Sequence, residues 1–585
     1  MAVKKPGAKV VDPPEELRKQ VCEVLFKAAG VDPLEADKTL EKPPEGIGAD
    51  FAFPCFALAR KQGRHPAQIA KEISTKARPS GLVKEVRARE AYVNFYADWG
   101  KLAELVVAGV LLGKDKYGSG SKKTEKVLVE HTSANPDGPL HLGHFRNTVI
   151  GDSLARIYAF CGYPVKTDFF FNTTGRQISI AALTYSKLGG RLPKGAEGPY
   201  AAKSDWQIYE FYRRGNAELE RRKDMEEEVK GVMQRFEAGD SEARRMYAAV
   251  VGKALKGQKQ TLAGLGVRID NFVDEAEFIF SGKVRKILDE IRRRVDVGRC
   301  EGGRVWMDLK QFGIDREFTL TRSDGTTIYP ARDLAYHEDK FSRADINVNV
   351  IGTDQRFYFR QLVSALSLLY PEKTRDYTVV FYEFLTLPEG TMSTRLGRFV
   401  SVDELLDRSF AVAMKAVEEK MPHYARKEKE SIARAVGVGS LKYAMVKVSP
   451  EKTYAFSVED ALKFEGDNAP YIQYTHARAS SILRKAKLKG TPKPGEYGDG
   501  KELALVRTMM EFPRVVSDAA RDFRPHYVAN YAYRLATQFS DFYQAVPVLK
   551  APGGSRESRL ALVKAAATVI RSALGLLGIE APQRM

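Results

Sequence analysis

The sequence predicts an α/β protein: a Rossmann-like, doubly wound domain, preceded by a smaller α+β domain and followed by an all-α bundle. Three observations carry this expectation. The middle of the chain alternates short buried apolar runs with helical stripes, the order of a parallel sheet wound by crossover helices. A turn bearing glycines and histidines joins the first of those strands to its helix. From about Arg408 to Met585 the residues are helix formers rich in Ala, Leu, Arg and Tyr, which reads as a helix bundle. At 585 residues the chain is too long for one compact domain.

The elements follow in order. Asp12-Pro13-Pro14 marks a helix start, with Leu17, Val21 and Leu25 on one face behind it. Glu85 to Tyr96 alternates in strand fashion over much of its length. Tyr117-Gly-Ser-Gly-Ser-Lys-Lys reads as a flexible polar linker and closes a first domain at residues 1–120. A second domain, 121–407, opens on a buried strand at Val127 to Val129. The stripe Leu142, Phe145, Val149, Leu154 and Ile157 then gives a helix closed by Gly162. Further strands are expected at Lys166 to Phe171, Ile346 to Ile351 and Tyr377 to Leu387. The charged stretch at about 185–304 carries its charges at helical spacing and reads as a solvated helical insertion. Residues 408–585 form the bundle, interrupted by one Pro/Gly-rich loop from Gly490 to Gly500.

Composition narrows the class. Hydrophobic residues at 44% and charged residues at 29% describe a soluble globular chain. No apolar run reaches the length of a membrane span, and the N-terminus lacks the apolar core of a secretory signal. A cytoplasmic protein without a membrane partner is expected. A net charge of +18 and a pI near 9.4 favour a polyanionic partner such as RNA. Cys22, Cys55, Cys161 and Cys300 are scattered without a Cys-x-x-Cys pair. Neither a disulfide scaffold nor a zinc site is expected, and the four read as buried or half-buried small hydrophobes.

The chemistry concentrates in Glu130-His-Thr-Ser-Ala-Asn-Pro-Asp-Gly-Pro-Leu-His-Leu-Gly-His144, which leaves the first strand and enters the first helix. Gly138 and Gly143 allow close backbone approach to a ligand, and the helix N-terminus beyond them favours phosphate. His141 and His144, three residues apart, project to one side of the first turn and could donate to triphosphate oxygens.

His141-Leu-Gly-His144 resembles the HIGH signature of class I aminoacyl-tRNA synthetases, and the wider VEHTSANPDGPLHLGHFRNTVIGD resembles the arginyl-tRNA synthetase version. The likeness runs over nearly the whole chain. Asn172-Thr-Thr-Gly-Arg-Gln177 matches the family's turn after the second strand, with Thr173 where Asp is usual. Ile328 to Tyr336, Gly352-Thr-Asp-Gln355, Asn468 to Tyr474 and the tail Leu577 to Met585 match further family segments. Each match is short; their order and spacing together are specific.

The resemblance implies a HIGH-type class I catalytic domain that activates L-arginine with ATP, accompanied by Mg2+, and transfers it to tRNA(Arg). It makes His141 and His144 catalytic and places His141, Gly143 and His144 at ATP. A planar, permanently charged guanidinium calls for a carboxylate with a flat partner, and Tyr329 and Asp333 stand four apart on one helical face. The family puts its side-chain contacts at these two positions, with Gln355 at the back of the pocket. Contacts to the amino-acid head fall on Glu130 and Asn135, with Ser133 nearby. The second ATP element reads Glu389-Gly-Thr-Met-Ser-Thr-Arg-Leu-Gly-Arg398: Met392 and Ser393 are kept, but Thr391 and Thr394 replace the family's two lysines. Gly138 holds the position of an alternative lysine, so Arg395, with Arg398 behind it, is the nearest replacement cation. The N-terminal domain is implied to touch the tRNA elbow. The C-terminal bundle is implied to bind the anticodon, through Tyr471 and Gln473 among its aromatic and basic residues. A monomer is expected. The rivals are a class I ligase for another amino acid and a catalytically weakened tRNA-binding paralogue.

Overall fold

The computed structural model describes residues 13–44, 46–193, 195, 197–222, 224–386, 400–488 and 490–585. The helix Pro13–Ala29 buries Leu17, Val21 and Leu25. It packs on an antiparallel sheet of β1 (Phe51–Pro54), β2 (Val83–Arg89) and β3 (Tyr92–Ala97), ordered β1-β3-β2. The stretch expected as one alternating strand is a hairpin, turning at Glu90 with φ 53. Phe53, Val93 and Phe95 belong to a distinct core, against which Met510 of the C-terminal region packs. Beyond the helix Trp99–Gly113, the segment read as a flexible linker is anchored at its first residue. Tyr117 is buried, its hydroxyl donating to the Met509 carbonyl at 3.3 Å and its ring stacked on Phe512.

The strands of the second region are β4 (Val127–Glu130), β5 (Val165–Phe171), β6 (Asn271–Asp274), β7 (Gly298–Glu301), β8 (Arg304–Met307), β9 (Phe318–Thr319), β10 (Ile346–Gly352) and β11 (Tyr377–Tyr382). Five of them form a parallel sheet ordered β11-β10-β4-β5-β6. Successive side chains leave a strand on opposite faces. Accordingly Phe169 and Phe171 pack into the core shared with the bundle, while Phe170 packs into a second core on the other face. This is the doubly wound fold expected. The first strand, β4, lies between β5 and β10, so the winding reverses there and opens a crevice at the carboxyl ends of β4 and β10.

The charged stretch forms the helices Ser204–Leu219, Met225–Glu237 and Ser241–Gly264, and its remainder is not helical throughout. β6 returns from it to complete the parallel sheet, and β7 starts a small antiparallel sheet ordered β7-β8-β9. β6 is four residues, Asn-Phe-Val-Asp, too short for alternation to stand out among charged neighbours. Cys300 sits on the edge strand β7 and is exposed, unlike the buried Cys22 and Cys55. From Val402 to Leu576 the named elements among the described residues are all helices, and their core is continuous with one face of the sheet. Among the described residues no helix is long and apolar enough to cross a membrane.

Candidate active site

The turn leaving β4 is strained. Thr132 has φ 69 and Ser133 φ 41, a left-handed conformation unfavourable for both and most of all for a β-branched residue. A buried network holds it: the Thr132 N–H donates to Asn147 Oδ1 at 2.6 Å, and its hydroxyl lies 2.9 Å from Thr148 Oγ1 and from His131 Nδ1. Asn147 in turn donates to the Val350 carbonyl at 2.7 Å, tying the turn to β10 across the crevice. Gly151 makes this packing possible, since a Cβ there would lie 2.2 Å from the Cβ of His131.

The strained turn aims Glu130 and Ser133 into a cavity of about 670 Å3 at the carboxyl ends of the strands. Glu130 Oε2 accepts from Lys340 Nζ at 2.7 Å and from Asn349 Nδ2 at 2.8 Å. Its Oε1 accepts from Ser133 Oγ at 3.2 Å, and Ser133 is itself held by the Phe170 N–H at 3.1 Å. Lys340 is fully buried, and burial lowers its pKa against the pull of Glu130. Sequence reading missed Lys340 and Asn349. A signal existed: Asp333, His337 and Lys340 recur at helical spacing, and Asn349 is polar within an apolar strand.

His141 caps the helix Leu142–Phe160, its Nδ1 accepting from the Gly143 N–H at 3.1 Å. His144 Nδ1 accepts from the His141 N–H at 3.4 Å, and the two rings stack with centroids 3.7 Å apart. Burial lowers the His141 pKa to about 4, and burial together with the neighbouring ring holds that of His144 well below the usual imidazole range. Both imidazoles are therefore neutral near pH 7. With Nδ1 accepting in each, the ring proton sits on Nε2, which makes each histidine a neutral donor at a helix N-terminus. Gly143 keeps this turn open, since a Cβ there would meet Phe384 at 3.2 Å.

Tyr329 and Asp333 begin the helix Tyr329–Arg343 and line the same cavity. The Tyr358 hydroxyl donates to Asp333 Oδ2, and the Tyr329 ring packs on the Tyr358 ring with centroids 4.9 Å apart, so a pair of aromatic rings stands beside the carboxylate. Burial raises the Asp333 pKa to about 7, with Glu275 and Glu130 adding to the rise and Tyr358 and Lys340 opposing it. Arg332 turns away, pairing with Glu275 at 3.5 Å and Glu237 at 3.3 Å. Once Lys340 is matched to Glu130 and Arg332 to Glu275, Asp333 is the surplus buried carboxylate; Asp354 also lines the cavity but is exposed. A cavity so built favours a cation with flat faces.

The remaining expected residues are placed differently. Gln355 lines the cavity but is exposed, on the turn Thr353–Gln355 at its mouth rather than at the back. Asn135 is exposed and faces a smaller cavity of about 160 Å3, reached from the main one past His141 and His144. Met392, Ser393 and Arg395, with Thr391, Thr394 and Arg398, lie outside the described residues. Their described neighbours are fixed: the Thr386 N–H donates to the Tyr454 carbonyl at 3.2 Å, and the Leu142 N–H donates to the Val400 carbonyl at 3.1 Å. In the bundle, Tyr471 is half-buried and donates to Ser540 at 3.1 Å. Gln473 requires a correction as an RNA contact. It is fully buried, and its amide donates to the Ala435 carbonyl at 3.0 Å and the Glu580 carbonyl at 2.8 Å. The accessible ring is Tyr474, 41% exposed, with the Arg478 guanidinium 4.8 Å from its centroid.

Three family models match the chain: the arginyl tRNA synthetase N-terminal domain over residues 15–97, the class I (R) tRNA synthetase catalytic domain over 106–458, and the DALR anticodon binding domain over 472–585. The chain is 40% identical to the arginine–tRNA ligase of Methanocorpusculum labreanum over 545 residues, 92% of this chain and 95% of that one. It is 37% identical to that of Methanocaldococcus jannaschii, over 94% of this chain and 96% of that one. Among solved structures it resembles the Thermus thermophilus arginyl-tRNA synthetase, with a TM-score of 0.79 and 31% identity over 97% of this chain and 100% of that one.

Proposed function

Since this chain belongs to the class I arginyl-tRNA synthetases and is an arginine–tRNA ligase acting on ATP, L-arginine and tRNA, we propose how its residues carry the reaction. Asp333, the surplus buried carboxylate beside Tyr329 and Tyr358, takes the guanidinium, and this single observation carries the choice of amino acid. Glu130, oriented by Lys340 and Asn349, takes the arginine ammonium through Oε1, with Ser133 beside it. Asn135 and Gln355 act at the margins of the site. The arginine carboxylate attacks the α-phosphorus; a carboxylate–phosphorus bond forms and the bond to pyrophosphate breaks. His141 and His144 donate from Nε2 to the phosphate oxygens as charge develops, with the Gly143 backbone close by. A terminal ribose hydroxyl of the tRNA then attacks the adenylate carbonyl and AMP leaves.

Mg2+ accompanying ATP would offset charge on the phosphates and would keep several of its own waters. Met392, Ser393 and Arg395 complete the ATP site, Arg395 supplying the cation that Thr391 and Thr394 lack. Residues 1–120 serve the tRNA elbow, 121–407 the chemistry and 408–585 the anticodon of tRNA(Arg). In the last, Tyr471, Tyr474 and Arg478 line a cavity of about 720 Å3 suited to stacking on bases. The protein acts as a cytoplasmic monomer. Charging of tRNA with labelled arginine tests the assignment: arginine should accumulate on tRNA in an ATP-dependent way, and charging with another amino acid instead would overturn the role of Asp333.

A further inference from the structure

Arg146 stands two residues beyond His144 on the same helix, 1% exposed. No carboxylate among the described residues lies within ion-pair distance of its guanidinium, and burial lowers its pKa. Its partners are backbone carbonyls instead. Nη1 donates to Glu383, and Nη2 donates to Ser449 at 3.2 Å and to Lys452 at 3.0 Å. Burying a guanidinium without a paired carboxylate is costly, and a leucine would fill such a position more cheaply. The three carbonyls come from two segments that also hold each other. The Glu383 N–H donates to the Pro450 carbonyl at 2.9 Å, the Thr386 N–H to the Tyr454 carbonyl at 3.2 Å, and the Phe456 N–H to the Thr386 carbonyl at 2.9 Å. Between Glu383 and Thr386 lies Phe384. Its ring forms part of the cavity wall and stands within 3.2 Å of where Cβ atoms on Gly143 and Gly352 would lie. On the other side, Arg524 of the bundle donates to Ser449 Oγ at 2.7 Å and pairs with Glu451.

We propose that Arg146 is a positioning residue for the catalytic crevice: it pins Glu383 and the strap 449–452 to the histidine helix, which holds Phe384 across Gly143 and Gly352 and links that wall to the bundle through Arg524. The inference deepens the proposed function, because the wall it positions faces the ATP side of the site. Three bonds from one rigid, planar group fix two segments against the helix that carries both histidines. Without them the wall and the histidines can shift relative to each other, and a displacement near 1 Å in such a site costs up to about 10²-fold in rate.

The test compares wild type with Arg146→Met, Arg146→Lys and Arg524→Met, by arginine-dependent ATP–pyrophosphate exchange with tRNA present and by amide hydrogen exchange. Arg146→Met should lose at least about tenfold in kcat with the arginine KM within about twofold. Arg146→Lys, whose ammonium can reach some of the carbonyls, should recover part of the rate. Arg524→Met, at the outer end of the strap, should lose less. The amides of Glu383, Thr386 and Phe456 should exchange faster in Arg146→Met and Arg146→Lys than in wild type. Should Arg146→Met not fold, Arg146→Lys and Arg524→Met decide. Unchanged exchange at those three amides overturns the proposal whatever the activity, as does a kcat insensitive to every variant. A wild-type protein inactive with arginine would overturn the functional reading instead, and the amides would still judge Arg146.

Discussion

Replacing Asp333 by Asn removes the surplus carboxylate while keeping its shape. The free site holds this group with a pKa of about 7, because burial and the nearby Glu130 and Glu275 disfavour its charge. A guanidinium bound against it reverses the balance: the carboxyl ionises, its pKa falls, and binding releases a proton. Arginine therefore binds the ionised form, and affinity is lost as pH falls through 7. Relative to its high-pH limit, affinity should be roughly 11-fold weaker at pH 6 and about 1.1-fold weaker at pH 8. Asp333→Asn leaves the guanidinium facing a neutral amide at a loss of about 2–5 kcal/mol, or roughly 30- to 4,000-fold in affinity. The pH dependence should flatten with it. His131 and His141, lowered to about 4 by burial, stay neutral across this range and do not contribute. Asp137 is also raised to about 7 by burial but lines the smaller cavity, so Asp137→Asn serves as the control that keeps the slope. The assay is calorimetric titration with arginine between about pH 6 and 8.5, in buffers of differing ionisation enthalpy to count released protons. An Asp333→Asn protein that binds arginine as wild type does, with the same slope, would refute the reasoning.

His141→Ala and His144→Ala should each slow adenylation by roughly 10²-fold, the scale of one transition-state donor, with arginine and tRNA affinities near wild type in equilibrium binding. Gln473→Ala strands the buried carbonyls of Ala435 and Glu580 and should cost about 1–3 kcal/mol of stability in denaturant titration, leaving tRNA affinity of the folded protein unchanged. Tyr474→Ala should do the reverse, losing about 1–3 kcal/mol of tRNA affinity at little cost in stability. Arg395→Ala should slow single-turnover adenylation more than Arg398→Ala, and adding Thr394→Lys should restore part of the rate.

What the sequence made legible is local. The strand, turn and helix around Glu130 to His144 announce themselves because two histidines, two glycines and an Asn-Pro turn fall between a buried strand and a helical stripe. Tyr329 and Asp333 were readable as neighbours because four residues on a helix bring side chains together. What remained hidden depends on contacts between distant segments. Nothing near Glu130 reveals that Lys340 lies against it, 210 positions away, and Tyr358 reaches Asp333 from a different helix. Gln473 stands beside Tyr474 in a helix whose buried face is broad. Only the folded bundle shows that carbonyls from two remote segments claim its amide while the tyrosine faces outward. Asn135 follows the same loop as Ser133 but turns to the other side of the histidine pair, a choice made by Gln258, whose amide donates to the Asn135 carbonyl at 3.0 Å and the Gly138 carbonyl at 2.9 Å.

On the reading proposed above, this cavity selects arginine by its guanidinium, and the arginine carboxylate is activated there with ATP. ATP–pyrophosphate exchange measured with each of the twenty amino acids in turn, tRNA present throughout, tests it most directly. Exchange is expected with arginine, and little or none with lysine, whose compact ammonium lacks the planar fork suited to a carboxylate beside two tyrosines. Exchange driven equally by lysine or glutamine, or absent with arginine, would contradict it.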